Sequence, residues 1–208
     1  AMPQELAEQM PVIKEVLKAM NIAIIEKEGY EADDVIGTIS KQASDAGHYV
    51  TILSGDRDNF QLASNKITIR IPRTKMGKTE TEDYDDSKII EEYGVKPVQL
   101  IQVKGLMGDT SDNIPGVPGV GEKTAQKLVS EFGSIENLLE HTDQLKGALK
   151  TKVETNREMI TFSKFLATIK IDVPIQLEMD ALVREEADEN SLRSIFEELE
   201  FRTLIDRV

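Results

Sequence analysis

The residues with the clearest chemical potential lie at 108–121, in the stretch GDTSDNIPGVPGVG. Asp109 and Asp112 stand three apart at the end of an apolar helical run, a spacing that lets both carboxylates face one cation. Gly116, Val117, Gly119, Val120 and Gly121 then make a tight hairpin that opens the helix EKTAQKL. Glycines let an anion approach the backbone there, the amides of the helix start supply donors, and Lys123, Thr124 and Lys127 flank them. Metal ligands beside a phosphate cradle point to metal-assisted work on a nucleic-acid backbone. Such contacts read no base, so binding would be independent of sequence.

Two more acidic groups join this set. Glu31, Asp33 and Asp34 open a helix in YEADDVIGT, and Asp56 and Asp58 follow an apolar strand in SGDRD. Each group alone has an ordinary reading, because acids complement helix starts and cap turns. The hairpin alone could likewise be a plain helix connection. All of them together are hard to reconcile with coincidence. Close-set carboxylates repel one another unless cations join them, and magnesium or manganese takes oxygen ligands. Two such ions about 3.5–4 Å apart can activate a water and stabilise a leaving oxygen.

The elements that must position these acids follow from periodicity. Residues 5–20 predict a helix with Leu6, Met10, Ile13, Leu17 and Met20 on one face, and residues 22–25 a short strand. A helix from Tyr30 is stopped by Gly47, and residues 49–53 predict a buried parallel strand. NFQLAS starts another helix, and Ile67, Ile69 and Ile71 alternate as a half-exposed strand does. PRTKMGKTETEDYD reads as a charged loop or hairpin in which Lys75 and Lys78 are solvated. From Ser87 onward helix follows helix, including a long one over 145–170; a strand at 173–177 and the acidic helix SLRSIFEELEF close the chain. Strand, helix and strand in succession predict a parallel sheet with Asp56 and Asp58 at its carboxyl edge. The expected division is an α/β core over residues 1–86, a helical domain over 87–180 and an acidic helix in 181–208.

Composition bounds this reading. The chain has 208 residues, 39% hydrophobic and 30% charged, enough for one substantial core. Its net charge of −13 argues against a broad basic DNA-binding face. The charge is uneven, however: residues 121–170 carry eight Lys or Arg against seven Asp or Glu, and 171–208 four against eleven. Recognition through local phosphate sites is therefore expected. The absence of cysteine excludes disulfides and thiolate zinc sites. No apolar run approaches a membrane span, so no membrane partner is expected. His48 and His141 are isolated and read as surface residues, Tyr30 and Tyr84 as core.

YEADDVIGT, SGDRD and GLMGDTSDNIPGVPGVGEKTAQKL together resemble the 5′ nuclease domains of bacterial type I DNA polymerases, within the flap endonuclease family. The resemblance runs from about Pro3 to the end. It implies a parallel-sheet, PIN-like α/β core followed by a helical SAM-fold domain with a helix–three-turn–helix. It also implies magnesium-dependent, two-metal cleavage of 5′ flaps, nicked duplex and RNA primers in replication and repair, in the bacterial cytoplasm at the nucleoid. Matched by position, Glu31, Asp33, Asp34 and Asp109 would serve the ion that activates water, and Asp56, Asp58 and Asp112 the second ion. Asp33, Asp34 and Asp109 would be the catalytic acids. Gly116, Val117, Gly119, Val120, Gly121, Lys123, Thr124 and Lys127 would grip duplex DNA, with a potassium ion on the hairpin carbonyls. The family's opening strand, which ends in Asp-Gly, and its arch with Lys, Arg and Tyr do not occur in this sequence. They are expected from another segment, with a polymerase domain as a further expected partner. The alternative is a catalytically incomplete fragment that binds duplex DNA without cutting. GDTSDN also resembles the late acidic motif of haloacid dehalogenase phosphatases, but their early Asp pattern is missing, since Asp58 is followed by Asn59.

Overall fold

A computed structural model describes residues 3–75 and 77–208. The side chain of Lys75, read above as solvated, lies outside the described residues, while Lys78 is exposed. Contacts divide the chain into two units, one of residues 30–175 and one joining 1–29 to 176–208.

The larger unit holds the acids. Helix α2 (Ala32–Asp45) leads to strand β1 (Val50–Leu53), a 3-10 turn (Arg57–Leu62) and strands β2 (Ile67–Lys75) and β3 (Lys78–Tyr84). β1 pairs with β2 in parallel and β2 with β3 antiparallel, so the sheet is mixed, in the order β1-β2-β3. Ile67, Ile69 and Ile71 point inward at every second residue and pack with Ile52, Phe60, Tyr84 and Ile89. The rings of Phe60 and Tyr84 stack at 4.5 Å. Helices α3 (Asp86–Tyr93), α4 (Leu100–Met107), α5 (Glu122–Phe132), α6 (Ile135–Glu140), α7 (Gly147–Thr155) and α8 (Arg157–Ala167) follow. Leu106, Val117, Val120, Ala125, Val129, Val153 and Ile160 form their shared core. Tyr93 and Leu100 pack against both apolar clusters of this unit.

Several local expectations are corrected. NFQL ends a 3-10 turn (Arg57–Leu62) whose start Asp56 caps, and Ala63 and Ser64 lie beyond it. Tyr49 lies outside β1 and is 84% exposed, and Leu53 is 67% exposed, so β1 is not buried on both faces. The long helix over 145–170 is broken at Asn156 into α7 and α8. Residues 173–177 form no strand, because their neighbourhood bonds to a helix. Asp34, Thr38 and Gln42, four apart on α2, accept the Lys170 amide at 2.8 Å, accept the Val173 amide at 3.1 Å and donate to the Ile175 carbonyl at 2.8 Å, respectively.

The smaller unit packs α1 (Gln4–Ala19), α9 (Glu189–Glu198) and α10 (Arg202–Ile205) around Ala19, Leu192 and Phe196. The Asp188 amide donates to the Ala19 carbonyl at 2.8 Å. Residues 22–25 have no partner strand among the described residues and are not a strand. Among the described residues, no helix is long and apolar enough to cross a membrane.

Gly105 lets α4 lie close to its neighbours: a Cβ there would sit 2.7 Å from Ile135 Cδ1 and 3.2 Å from the Lys164 Cα. Gly105→Val is expected to destabilise the protein by about 1–3 kcal/mol through overpacking. Urea unfolding checks this, and an unchanged midpoint would refute the close packing.

Candidate metal centre

The acid site is built from the ends of three elements. The turn after β1 supplies Asp56 and Asp58. The Asp56 carboxylate accepts the Asp58 amide at 2.9 Å, and the Ser54 hydroxyl accepts the Asp56 amide at 3.0 Å. The loop after α4 supplies Asp109 and Asp112. Asp109 and Ile114 close this loop by exchanging two backbone hydrogen bonds of 2.8 Å. Gly108 and Asn113 take left-handed φ values of 76° and 57° to allow it. Helix α2 supplies Asp33 and Asp34 in its first turn, behind Glu31 at the N-cap.

A residue absent from the sequence reading sits at the centre. Lys104, on the last turn of α4, bonds Asp58, lies 2.7 Å from an Asp109 oxygen and is 3.7 Å from Asp112. Oxygens of Asp58, Asp109 and Asp112 all fall within 4.8 Å of one another. The side chains of Lys104, Asp58 and Asp109 are only 18%, 20% and 19% exposed, while Asp112 is 53% exposed.

Electrostatics follows the geometry. Bonds from Lys104 and Ser111 hold the Asp109 carboxyl down at about 2, against the burial that opposes them. Burial opposes the charge on Lys104, but its bonds to Asp109 and Asp58 outweigh that and raise its pKa. Asp58 is pushed above the ordinary carboxylate value by burial; the Lys104 contact counters this, and the charges of Asp56 and Asp112 reinforce it. Asp33 is also raised, first by burial, with the Asn59 bond opposing and the charges of Asp56, Asp34 and Asp112 adding to the rise. Asp33 therefore shares the electrostatic neighbourhood of the other two segments.

The seven sequence-selected acids thus occupy different stations. Asp58, Asp109 and Asp112 converge, and Asp33 and Asp56 stand within reach of their charge. Asp34 is engaged by the Lys170 amide, and Glu31 is exposed at the helix start without a capping bond. A cluster made only of carboxylate oxygens fits hard cations such as magnesium or manganese. Beside Asp33, the amide nitrogen of Asn59 donates to that carboxylate at 3.3 Å, while the buried Asn59 Oδ1 has no partner among the described residues. An orphaned oxygen acceptor next to the acids leaves room for an additional hydrogen-bond donor, such as a metal-bound water.

The glycine hairpin divides into an anchored half and an exposed half. Gly116 donates its amide to the buried Ser163 hydroxyl at 3.1 Å, and Val117 donates to the Leu106 carbonyl at 2.7 Å. A Cβ on Gly116, at φ 59°, would come 2.2 Å from the Gly108 nitrogen, so glycine is obligatory there. Gly116, Val117 and Val120 are buried; Gly119, Gly121, Lys123, Thr124 and Lys127 are exposed. Lys152 joins the exposed half, for a Cβ on Gly119 would lie 2.7 Å from its Nζ. Periodicity could not have found Lys152 or Ser163, which come from α7 and α8. Lys104 did leave a signal, as the lone charge in the apolar run LIQVKGLM.

This fold and acid arrangement define a nuclease-type α/β core with a helical annex. Residues 1–94 match the N-terminal resolvase-like domain of 5′-3′ exonucleases, and residues 95–190 match their C-terminal SAM fold. The chain belongs to this 5′-3′ exonuclease family. It is similar to DNA polymerase I of Bacillus subtilis (strain 168), 48% identical over 207 residues, and to that of Bacillus caldotenax, 45% identical over 207 residues. Each match covers 99% of this chain and 23% of the relative, so the chain spans about a quarter of the curated proteins it matches. Among solved structures, a zinc-bound T5 5′-exonuclease aligns with a TM-score of 0.62 at 23% identity, over 83% of this chain and 61% of that one. The catalytic core of Rad2 in complex with DNA substrate aligns with a TM-score of 0.60 at 17% identity, over 94% of this chain and 63% of that one. These likenesses show a shared fold.

The raised Asp33 has a stability consequence. Its folded pKa lies above the ordinary 3.8, so stability present below that pH is lost as pH rises through the folded value. Asp33→Asn is therefore expected to raise the urea midpoint at pH 7 in EDTA and to leave it nearly unchanged at pH 3. A lower midpoint at pH 7 would refute the strain that burial, reinforced by neighbouring carboxylates, places on ionised Asp33.

Proposed function

We propose that the chain is the nuclease part of a bacterial DNA polymerase I, cutting phosphodiesters at 5′ flaps, nicks and RNA primers during replication and repair on the cytoplasmic nucleoid. The observation that carries this reading is the meeting of Asp58, Asp109 and Asp112, from two separate segments, with Asp33 of a third within reach of their charge. The family match and the relatives' names support it. T5 5′-exonuclease is recorded with divalent metal ions and Rad2 with DNA substrate, which supports the same pairing of partners for this chain.

In this reading Asp58, Asp109 and Asp112 would hold magnesium or manganese, with Asp33, Asp34, Asp56 and Glu31 completing two sites directly or through water. Held there, such ions would supply an activated water and charge stabilisation for the departing oxygen. The residues themselves have distinct tasks. Lys104 and Ser111 orient Asp109, and Asn59 orients Asp33. The exposed half of the hairpin, with Lys123, Thr124, Lys127 and Lys152, would bind the phosphates of the uncleaved duplex, and a potassium ion on the hairpin carbonyls would add to it. Net charge of −13 makes that local contact necessary.

One observation favours a second reading, a duplex-binding fragment that does not cut. Among the described residues the compact oxygen cluster comprises Asp58, Asp109 and Asp112, a set suited to one ion rather than two. Cleavage of a labelled 5′-flap duplex in magnesium separates the readings. It should be run with the 208-residue chain and with a longer polypeptide that includes the family's opening strand and arch. Cleavage by either supports the nuclease, and Asp109→Asn should lower it about 100-fold or more. Binding without cleavage by both forms favours the second reading. In a separate measurement, Lys123→Ala with Lys127→Ala should weaken duplex binding and reduce the slope of log K against log salt by about 0.9 per lost phosphate contact. An unchanged slope would remove the hairpin from the interface.

A further inference from the structure

We propose that Lys104 is an internal competitor for the divalent ion: its ammonium occupies the shared ligand oxygens of Asp58, Asp109 and Asp112 and must withdraw when an ion binds. The inference rests on the metal-centre reading above and adds a determinant of metal affinity to it.

Three facts carry it. First, the ammonium sits among the same carboxylates that could coordinate a metal, bonding Asp58 and lying 2.7 Å from Asp109 Oδ2 and 3.7 Å from Asp112 Oδ2. Magnesium would need those oxygens at about 2.1 Å, so both cations would share ligands at a separation where they repel strongly. Second, among the described residues the ion-pair partners of Lys104 are all members of this acid set, so its bonds are lost when an ion takes the oxygens. Third, the site is already nearly assembled. The three oxygens lie within 4.8 Å of one another, and two ligands across one magnesium can be at most about 4.2 Å apart, twice the usual bond length. A slight closure after the ammonium leaves would suit the metal. Lys104 therefore relieves acid repulsion in the metal-free protein while weakening the first ion's hold.

The test measures metal binding without DNA. Manganese is titrated into wild type and Lys104→Met while free Mn2+ is followed by its electron spin resonance signal, and both proteins are melted in EDTA. The expected result is roughly tenfold tighter manganese binding in the variant, within the usual range for coupling between two ligands. The variant should also melt lower in EDTA, and the gap should close as manganese is added. Equal or weaker manganese binding by the variant overturns the proposal. If Lys104→Met does not fold in EDTA, the 15N ammonium resonance of Lys104 is followed in wild type during a magnesium titration. Displacement of that resonance supports the proposal, and an unmoved resonance while magnesium binds overturns it. If neither protein binds manganese, the metal-centre reading itself fails and this inference falls with it. Binding that is merely insensitive to Lys104 sinks only the inference.

Discussion

Like charges cannot be gathered in a partly buried place without a cation to join them. Two carboxylates within 4.8 Å repel by about 3–4 kcal/mol at an effective dielectric near 20, and less where Asp112 is half exposed. In this protein Lys104 supplies the positive charge. It pulls Asp109 far below its ordinary pKa, yet leaves Asp58 and Asp33 above theirs. The cluster is thus held together but not relaxed. That residual strain is what a hydrated divalent ion would relieve, and it connects the fold to the proposed chemistry.

The backbone turns this electrostatic problem into a defined shape. Helix α4 carries Lys104 and ends at Gly108, after which the loop with Asp109 and Asp112 closes on itself through Ile114. The hairpin then folds directly back onto α4, with Gly116 against the Gly108 backbone and Val117 bonded to Leu106. The buried Ser163 hydroxyl on α8 fastens it from the other side. The acid loop and the exposed half of the hairpin are therefore parts of one continuous, mutually bonded piece. A phosphate held by the exposed half would stand at a fixed offset from the carboxylates, which is what positioning for a backbone cut requires.

Much of this was legible in the sequence, for physical reasons that differ by element. Ile67, Ile69 and Ile71 announced β2 because one face of that strand is buried. Glycines at 108 and 116 announced tight backbone because no side chain fits where another main chain passes. Convergence of Asp58 with Asp109 and Asp112 was expected from residue type and from the family resemblance, since their separation along the chain carries no distance. What stayed hidden depends on partners remote in sequence. Residues 173–177 look like a strand, but nearby amides bond to side chains of α2 instead of a neighbouring strand. Residues 22–25 have strand-forming types without a strand to pair with among the described residues. Lys104 looked like one charge in an apolar helix until the turn after β1 was brought against it.

The most direct measurement is a crystal structure of the protein grown with manganese, examined by anomalous scattering at the manganese edge. The account predicts an anomalous peak bonded to oxygens of Asp58, Asp109 and Asp112, with the Lys104 ammonium moved away from them. Manganese absent from this cluster at saturating concentration, with Lys104 still seated among the three acids, would contradict it.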